Sequence, residues 1–142
     1  KGEKPLAVLA VTQHIKPDIY PKVDDEATII VTYPKAQGII QASWNWPFGR
    51  KDMEIYGQHG YMIADRNGLK IKTSQEKKEE YQSVPSSQLP YHDPFAYLAA
   101  VVHGEITVKQ TDLSSLQNNM IVVEILEAAK KSAKEGKMIY LK

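Results

Sequence analysis

Ile40-Gln41-Ala42-Ser43-Trp44-Asn45-Trp46 alternates apolar and polar side chains without a break. A two-residue period of this kind places one chemistry on each face of an extended strand, so the stretch predicts a strand with one face dry and one wet. Its neighbours read the same way. Upstream, Thr28 to Tyr33 is β-branched and aromatic, and Tyr33-Pro34-Lys35-Ala36 supplies a turn that makes the two runs a hairpin. Before that, Leu6 to Val11 is almost wholly apolar and reads as a buried strand, with the Lys16 to Glu26 segment, broken by Pro17 and Pro21, as a connector. Downstream, Met53 to Tyr56, Tyr61 to Ala64 and Leu69 to Thr73 are short strands. They are separated by Gln58-His59-Gly60 and by Asn67-Gly68, a pair that favours the left-handed conformations of a tight hairpin turn.

The charge-rich run Ser74 to Glu80 reads as a loop or strand end, and Pro85, Ser86, Ser87 and Pro90 as punctuation before a helix. Asp93 as cap, Pro94 at the first position and Gly104 as terminator frame that helix, in which Phe95, Leu98, Ala99 and Val102 form the predicted packed stripe. A second helix starts near Ser114, where Ser114 and Gln117 have capping-box spacing. It is expected to bury Val122, Ile125, Leu126, Ala129 and Ala133 and to stop at Gly136 before a closing strand at Met138 to Leu141. Strands grouped first and helices last predict an α+β fold, an open and mainly antiparallel β-sheet with helices packed on one face, built as one domain over residues 1–142. The other face of such a sheet is expected to pair with a partner.

Composition narrows the function classes. With 18 basic and 17 acidic side chains and no basic stripe, nucleic acid is not an expected partner. No apolar run approaches the roughly 18 residues of a membrane helix, so no membrane partner is expected. The absence of cysteine removes disulfides and thiolate ligands. The four histidines, His14, His59, His92 and His103, have no metal-ligand spacing, and Asp24-Asp25-Glu26 reads as a solvated acidic turn rather than a hard-cation site, so no metal is expected. No glycine-rich loop opens a helix, which removes the usual grip on a pyrophosphate and leaves the chain with no cofactor site of its own. The chain begins at Lys1 without methionine, which suggests a processed or excised product. The compartment is taken as cytoplasmic by default, or periplasmic if a longer parent carries an export signal.

Three segments carry a resemblance: Tyr20-Pro21-Lys22-Val23-Asp24-Asp25-Glu26-Ala27-Thr28-Ile29-Ile30, then Gln41-Ala42-Ser43-Trp44-Asn45-Trp46-Pro47-Phe48-Gly49-Arg50, and the tail Glu124-Ile125-Leu126-Glu127-Ala128-Ala129-Lys130-Lys131-Ser132-Ala133-Lys134-Glu135-Gly136-Lys137. In this order they resemble the C-terminal domain of the Gfo/Idh/MocA oxidoreductases, the family of glucose-fructose oxidoreductase and inositol dehydrogenase. The resemblance implies the substrate-pocket and dimerisation domain of an NAD(P)-dependent sugar or polyol oxidoreductase, with NAD or NADP held by a Rossmann domain absent from this chain. It further implies a homodimer through the open sheet face. It places substrate-binding candidates at Trp46, Phe48, Arg50, Tyr91 and His92, with no catalytic residue in the chain and no activity expected in isolation. Aromatic faces suit the apolar side of a sugar ring, and Arg, Tyr and His supply donors for hydroxyls. Glu3-Lys4-Pro5 repeats the letters of the family's catalytic-lysine motif, but Pro5 leads straight into a strand, so Lys4 reads as a charged approach to that strand. The alternative function is a free-standing interaction or carbohydrate-binding module that uses the open sheet.

Overall fold

A computed structural model of the chain describes residues 3–85, 87, 88 and 90–142; Ser86 of the predicted punctuation and the Lys1 terminus lie outside them. In chain order the elements are β1 (Ala7–Gln13), β2 (Glu26–Thr32), β3 (Gln37–Ser43), β4 (Met53–Gly57), β5 (Gly60–Ala64), β6 (Gly68–Lys72), β7 (Glu80–Ser83), α1 (Pro94–Val102), α2 (Leu116–Glu135) and β8 (Ile139–Tyr140). The fold is α+β and its strand pairings are antiparallel throughout. The strands divide into two four-stranded sheets, ordered β3-β2-β1-β8 and β4-β5-β6-β7. The chain forms two compact units, residues 1–47 with 107–142 and residues 48–106.

In the first unit α2 lies on β1 through small side chains. Ala128, Ala129 and Ser132 are buried and join Val8, Ala10, Ile29 and Val31 in one core, with Ile125 and Ala133 packed beside them. The predicted stripe is therefore rotated, because Val122 and Leu126 are exposed. Alanine and serine let the helix axis approach the strand, and the larger residues are left on its flanks.

Ser132 has a specific task. β8 pairs only with Ala7 and Val8, so that edge of β1 is bare by Ala10. The Ser132 hydroxyl fills the place of the missing strand, accepting from Ala10 N at 2.9 Å and donating to the Lys137 carbonyl at 2.7 Å. A buried N–H left without an acceptor costs roughly 1–3 kcal/mol, which is why a polar side chain sits at the most buried point of the helix. The cap of α2 is Ser115, one residue later than predicted. Its hydroxyl already donates to the Gln110 carbonyl and takes Asn118 N as well, while Gly136 ends the helix at φ 64°.

Strand alternation and register put Val8, Ala10, Ile29 and Val31 against α2 and turn Leu9, Val11, Ile30, Ile39 and Tyr140 to the opposite face. No helix of the first unit covers that face, where Val11 is 61%, Ile39 67% and Tyr140 76% exposed.

In the second unit β5 and β6 are central and β4 and β7 are edges. β7 has no counterpart among the expected strands: Glu80, Tyr81, Gln82 and Ser83 pair with β6, and Glu80, the last residue of the charge-rich run read as a loop or strand end, opens it. The β5–β6 connection also differs from expectation. Its central residues are Arg66 and Asn67, closed by Asp65 N to the Gly68 carbonyl at 3.1 Å, and Asn67 and Gly68 do not have positive φ. α1 has the predicted Asp93 cap, which accepts from Phe95 N and Ala96 N at 2.8 Å, but only Ala100 on it is buried; Phe95, Leu98 and Val102 face outward.

Candidate functional site

In the first unit the end of β3 is fastened by one buried carboxylate. The predicted alternation continues to Trp46, but β3 stops at Ser43 because the chain turns onto Asp25 there. Trp44 N donates to the Asp25 carbonyl at 2.9 Å, and Asn45 N donates to Ser43 Oγ at 3.0 Å. The Asp25 carboxylate accepts from Ile15 N at 2.8 Å, Lys16 N at 2.7 Å and the Asn45 amide at 3.2 Å. Glu26, next to it, accepts from the Ser43 hydroxyl and the Asn45 amide. Lys16 Nζ reaches the Trp44 and Asn45 carbonyls, His14 Nε2 donates to the Tyr20 carbonyl at 2.6 Å, and the Tyr20 and Trp44 rings lie 4.9 Å apart. The connector is thus tied to both β1 and the end of β3, and the segment carrying Trp46 has a defined starting point.

Asp25 corrects the solvated-turn reading: Asp24 is exposed, whereas Asp25 is 3% exposed. Burial pushes its carboxyl up, but the N–H donors of Ile15 and Lys16 and the Asn45 amide outweigh that and hold it below the usual carboxylate value. A depressed native pKa gives stability that is present above the unfolded value and lost as pH falls through the folded one. Thermal midpoints of the native chain should therefore drop with acid below about pH 4 more steeply than those of Asp25→Asn, which has no charge to neutralise. Parallel curves for the two proteins would remove Asp25 from this role.

Beside the clamp lies a shallow concavity of about 180 Å³ lined by Asp24, Asp25, Glu26, Ala27, Ala42, Ser43 and Trp44. Small-molecule sites usually run from about 300 to 1,000 Å³, and the hollow falls below that range. Among the described residues no group of three His, Cys, Asp or Glu side chains is placed to hold a metal ion.

The predicted substrate residues have different settings. Trp46, in the first unit, is half-buried just beyond the Asp25 clamp. Trp44, in the same segment, is 59% exposed with its ring beside that of Tyr20. In the second unit Phe48 is 83% exposed, and the Arg50 guanidinium forms a paired contact with Asp52 at 2.7–2.9 Å, which raises the pKa of Arg50 and lowers that of Asp52. Tyr91 and His92 are exposed immediately before the Asp93 cap, the Tyr91 ring 6.0 Å from that of Tyr97. Chain proximity groups Phe48 with Arg50 and Tyr91 with His92.

The described residues do not fit a dinucleotide. A pyrophosphate is held where a parallel strand passes through a glycine turn into a helix. Here both sheets are antiparallel, α1 starts behind the Asp93 carboxylate, α2 starts at Ser115, and the glycines adjoining helices, Gly104 and Gly136, sit at their C-terminal ends.

Residues 2–63 match the family model described as GFO/IDH/MocA C-terminal domain. No curated protein matches. Among solved structures, the chain is similar to a putative oxidoreductase from Thermotoga maritima, with TM-score 0.81 and 16% identity over 99% of this chain and 42% of the other. It is also similar to GenD2 from gentamicin A biosynthesis, solved in complex with NAD, with TM-score 0.67 and 22% identity over 99% and 42%. A putative myo-inositol dehydrogenase from Sinorhizobium meliloti 1021 gives TM-score 0.67 and 17% identity over 99% and 45%. This chain spans less than half the length of each of these structures. The resemblance read from the sequence motifs is therefore borne out: the chain matches the GFO/IDH/MocA C-terminal domain model over residues 2–63 and shares its fold along nearly its whole length with these solved structures.

Proposed function

We propose that this chain is the C-terminal, substrate-pocket and dimerisation domain of an NAD(P)-dependent sugar or polyol oxidoreductase, in which a Rossmann domain of a longer parent supplies the cofactor. The observation that carries this reading is the family match over residues 2–63, joined to a fold that accounts for less than half of each of these similar structures. The NAD in the GenD2 structure supports the cofactor class. In this reading hydride transfer belongs to the cofactor and the absent domain. Trp46 and Phe48 offer aromatic surface to a sugar ring, and Arg50, Tyr91 and His92 offer donors to its hydroxyls. The apolar sheet face pairs two subunits.

The test is a calorimetric titration of the 142-residue chain with NADH and with NADPH, together with the coding sequence upstream of Lys1. The expected results are no saturable binding and an in-frame Rossmann-coding stretch. Micromolar binding of either nucleotide would overturn the proposal, and a start codon near Lys1 would favour the free-standing module.

A further inference from the structure

Asn67-Gly68 is a dipeptide with reactivity of its own, because glycine offers no side chain to hinder its nitrogen from reaching the preceding amide carbon. We propose that Asn67 is a conditional modification site: it loses ammonia and becomes aspartate or isoaspartate when the β5–β6 hairpin opens, and Asp65 guards it while the hairpin is closed. In the reaction the Gly68 nitrogen gives its proton to solvent and bonds to Asn67 Cγ, and the Cγ–Nδ2 bond breaks to release ammonia. The resulting succinimide adds one water at either carbonyl. Breaking one of its two ring C–N bonds restores a normal backbone with an aspartate, and breaking the other routes the backbone through Cγ. Water is the only co-reactant and no electrons change hands.

The closed hairpin opposes each part of this. Asp65 Oδ1 accepts from Asn67 N at 2.7 Å and from Gly68 N at 3.1 Å, so the nitrogen that must lose its proton faces a carboxylate. Ring closure also requires the peptide between Asn67 and Gly68 to turn. Both of its polar groups are held, the Asn67 carbonyl by the Tyr81 hydroxyl at 2.8 Å and the Gly68 N–H by Asp65 Oδ1 at 3.1 Å, and the next peptide is tied as well, its Gly68 carbonyl accepting from Asp65 N at 3.1 Å. Space is short as well: a Cβ on Gly68 would lie 2.4 Å from the Gln82 carbonyl and 2.9 Å from the Tyr81 hydroxyl. The Asn67 side chain, by contrast, is exposed. Hairpins of this kind open locally at a fraction of the global unfolding free energy, so the guard is lifted intermittently. An isoaspartate would add a backbone carbon to a two-residue loop and a second carboxylate beside Asp65, and the hairpin could not reclose in its original register. The modification is a one-way record of opening, and it stands independently of the oxidoreductase reading.

The experiment incubates the full chain at neutral pH, folded and in urea, and follows conversion at Asn67 by peptide mass mapping with isoaspartate detection. Conversion in the folded chain should be at least about tenfold slower than in the unfolded one. Asp65→Ala should speed it severalfold in the folded chain and leave the unfolded rate unchanged, with a thermal melt confirming that the variant folds. Should that variant not fold, Tyr81→Phe, which removes the second tie, should accelerate conversion by the same measure. Equal rates in folded and unfolded chains, or a folding variant with no acceleration, would overturn the proposal.

Discussion

Gly60→Ala is expected to destabilise the second sheet by about 2–3 kcal/mol, the cost of forcing atoms into a site already filled by main chain. Gly60 opens β5 and pairs with Gly57 across a two-residue loop, and its φ is not positive, so conformation alone does not demand glycine there. Space does. A Cβ at Gly60 would stand 2.0 Å from the Lys72 carbonyl oxygen and 3.0 Å from Thr73 Cα, both backbone atoms that cannot rotate away as a side chain would. The strands must separate at the Tyr61–Lys72 pair, where β5 meets the end of β6. Gly38→Ala in β3 is the matched control, because nothing lies within 4 Å of its Cβ position. That change should be neutral or stabilising by about 0.5 kcal/mol through the loss of unfolded-state freedom. Both substitutions alter the unfolded chain alike, so their difference isolates the clash. Hydrogen exchange should locate the Gly60→Ala loss in β5 and β6, and equal denaturation midpoints for the two variants would refute the steric argument.

The elements with local signatures were legible in the sequence. Alternation showed β3, β-branched runs showed β1 and β2, and Asp93 and Gly136 mark the start of α1 and the end of α2 as expected. What escaped has no side-chain signature. Asp25 looks like one member of a solvated acidic triplet, because its principal partners are the backbone N–H groups of Ile15 and Lys16, and backbone donors leave no mark in composition. The division of eight strands into two sheets is likewise silent, since a strand's sequence tells which face is apolar and not which strand lies beside it. The rotated face of α2 follows from closeness rather than hydrophobicity. Ranking by size favours Val122 and Leu126, whereas the small Ala128 and Ser132 are what β1 accommodates. The substrate candidates came from family resemblance; Trp46 ends the alternating run, and the exposed Phe48, Arg50, Tyr91 and His92 carry no periodicity from which they could have been found.

If two subunits pair through the open sheet face as proposed, the double substitution Val11→Lys with Ile39→Lys is expected to convert that dimer into a monomer while leaving the fold intact. Both side chains lie on the sheet face turned away from α2, and both are more than half exposed, so neither change burdens the folded subunit. In a two-fold interface each substitution occurs twice, and the four ammonium groups would have to leave water against an apolar face that offers them no carboxylate. A desolvation cost of even about 1 kcal/mol per group sums to roughly 4 kcal/mol, enough to weaken association about a thousandfold. Sedimentation velocity should show dimer for the unaltered chain and monomer for the variant at the same concentration, with matching circular dichroism. Val8→Lys separates the two faces of the same sheet. Val8 is fully buried beneath α2, and a lysine there should abolish folding rather than association. If the unaltered chain sediments only as monomer at high concentration, or if the double variant remains dimeric, the open face is not where subunits meet. The apolar residues there would then need another cover, because a patch of Leu9, Val11, Ile30, Ile39 and Tyr140 left in water would favour aggregation.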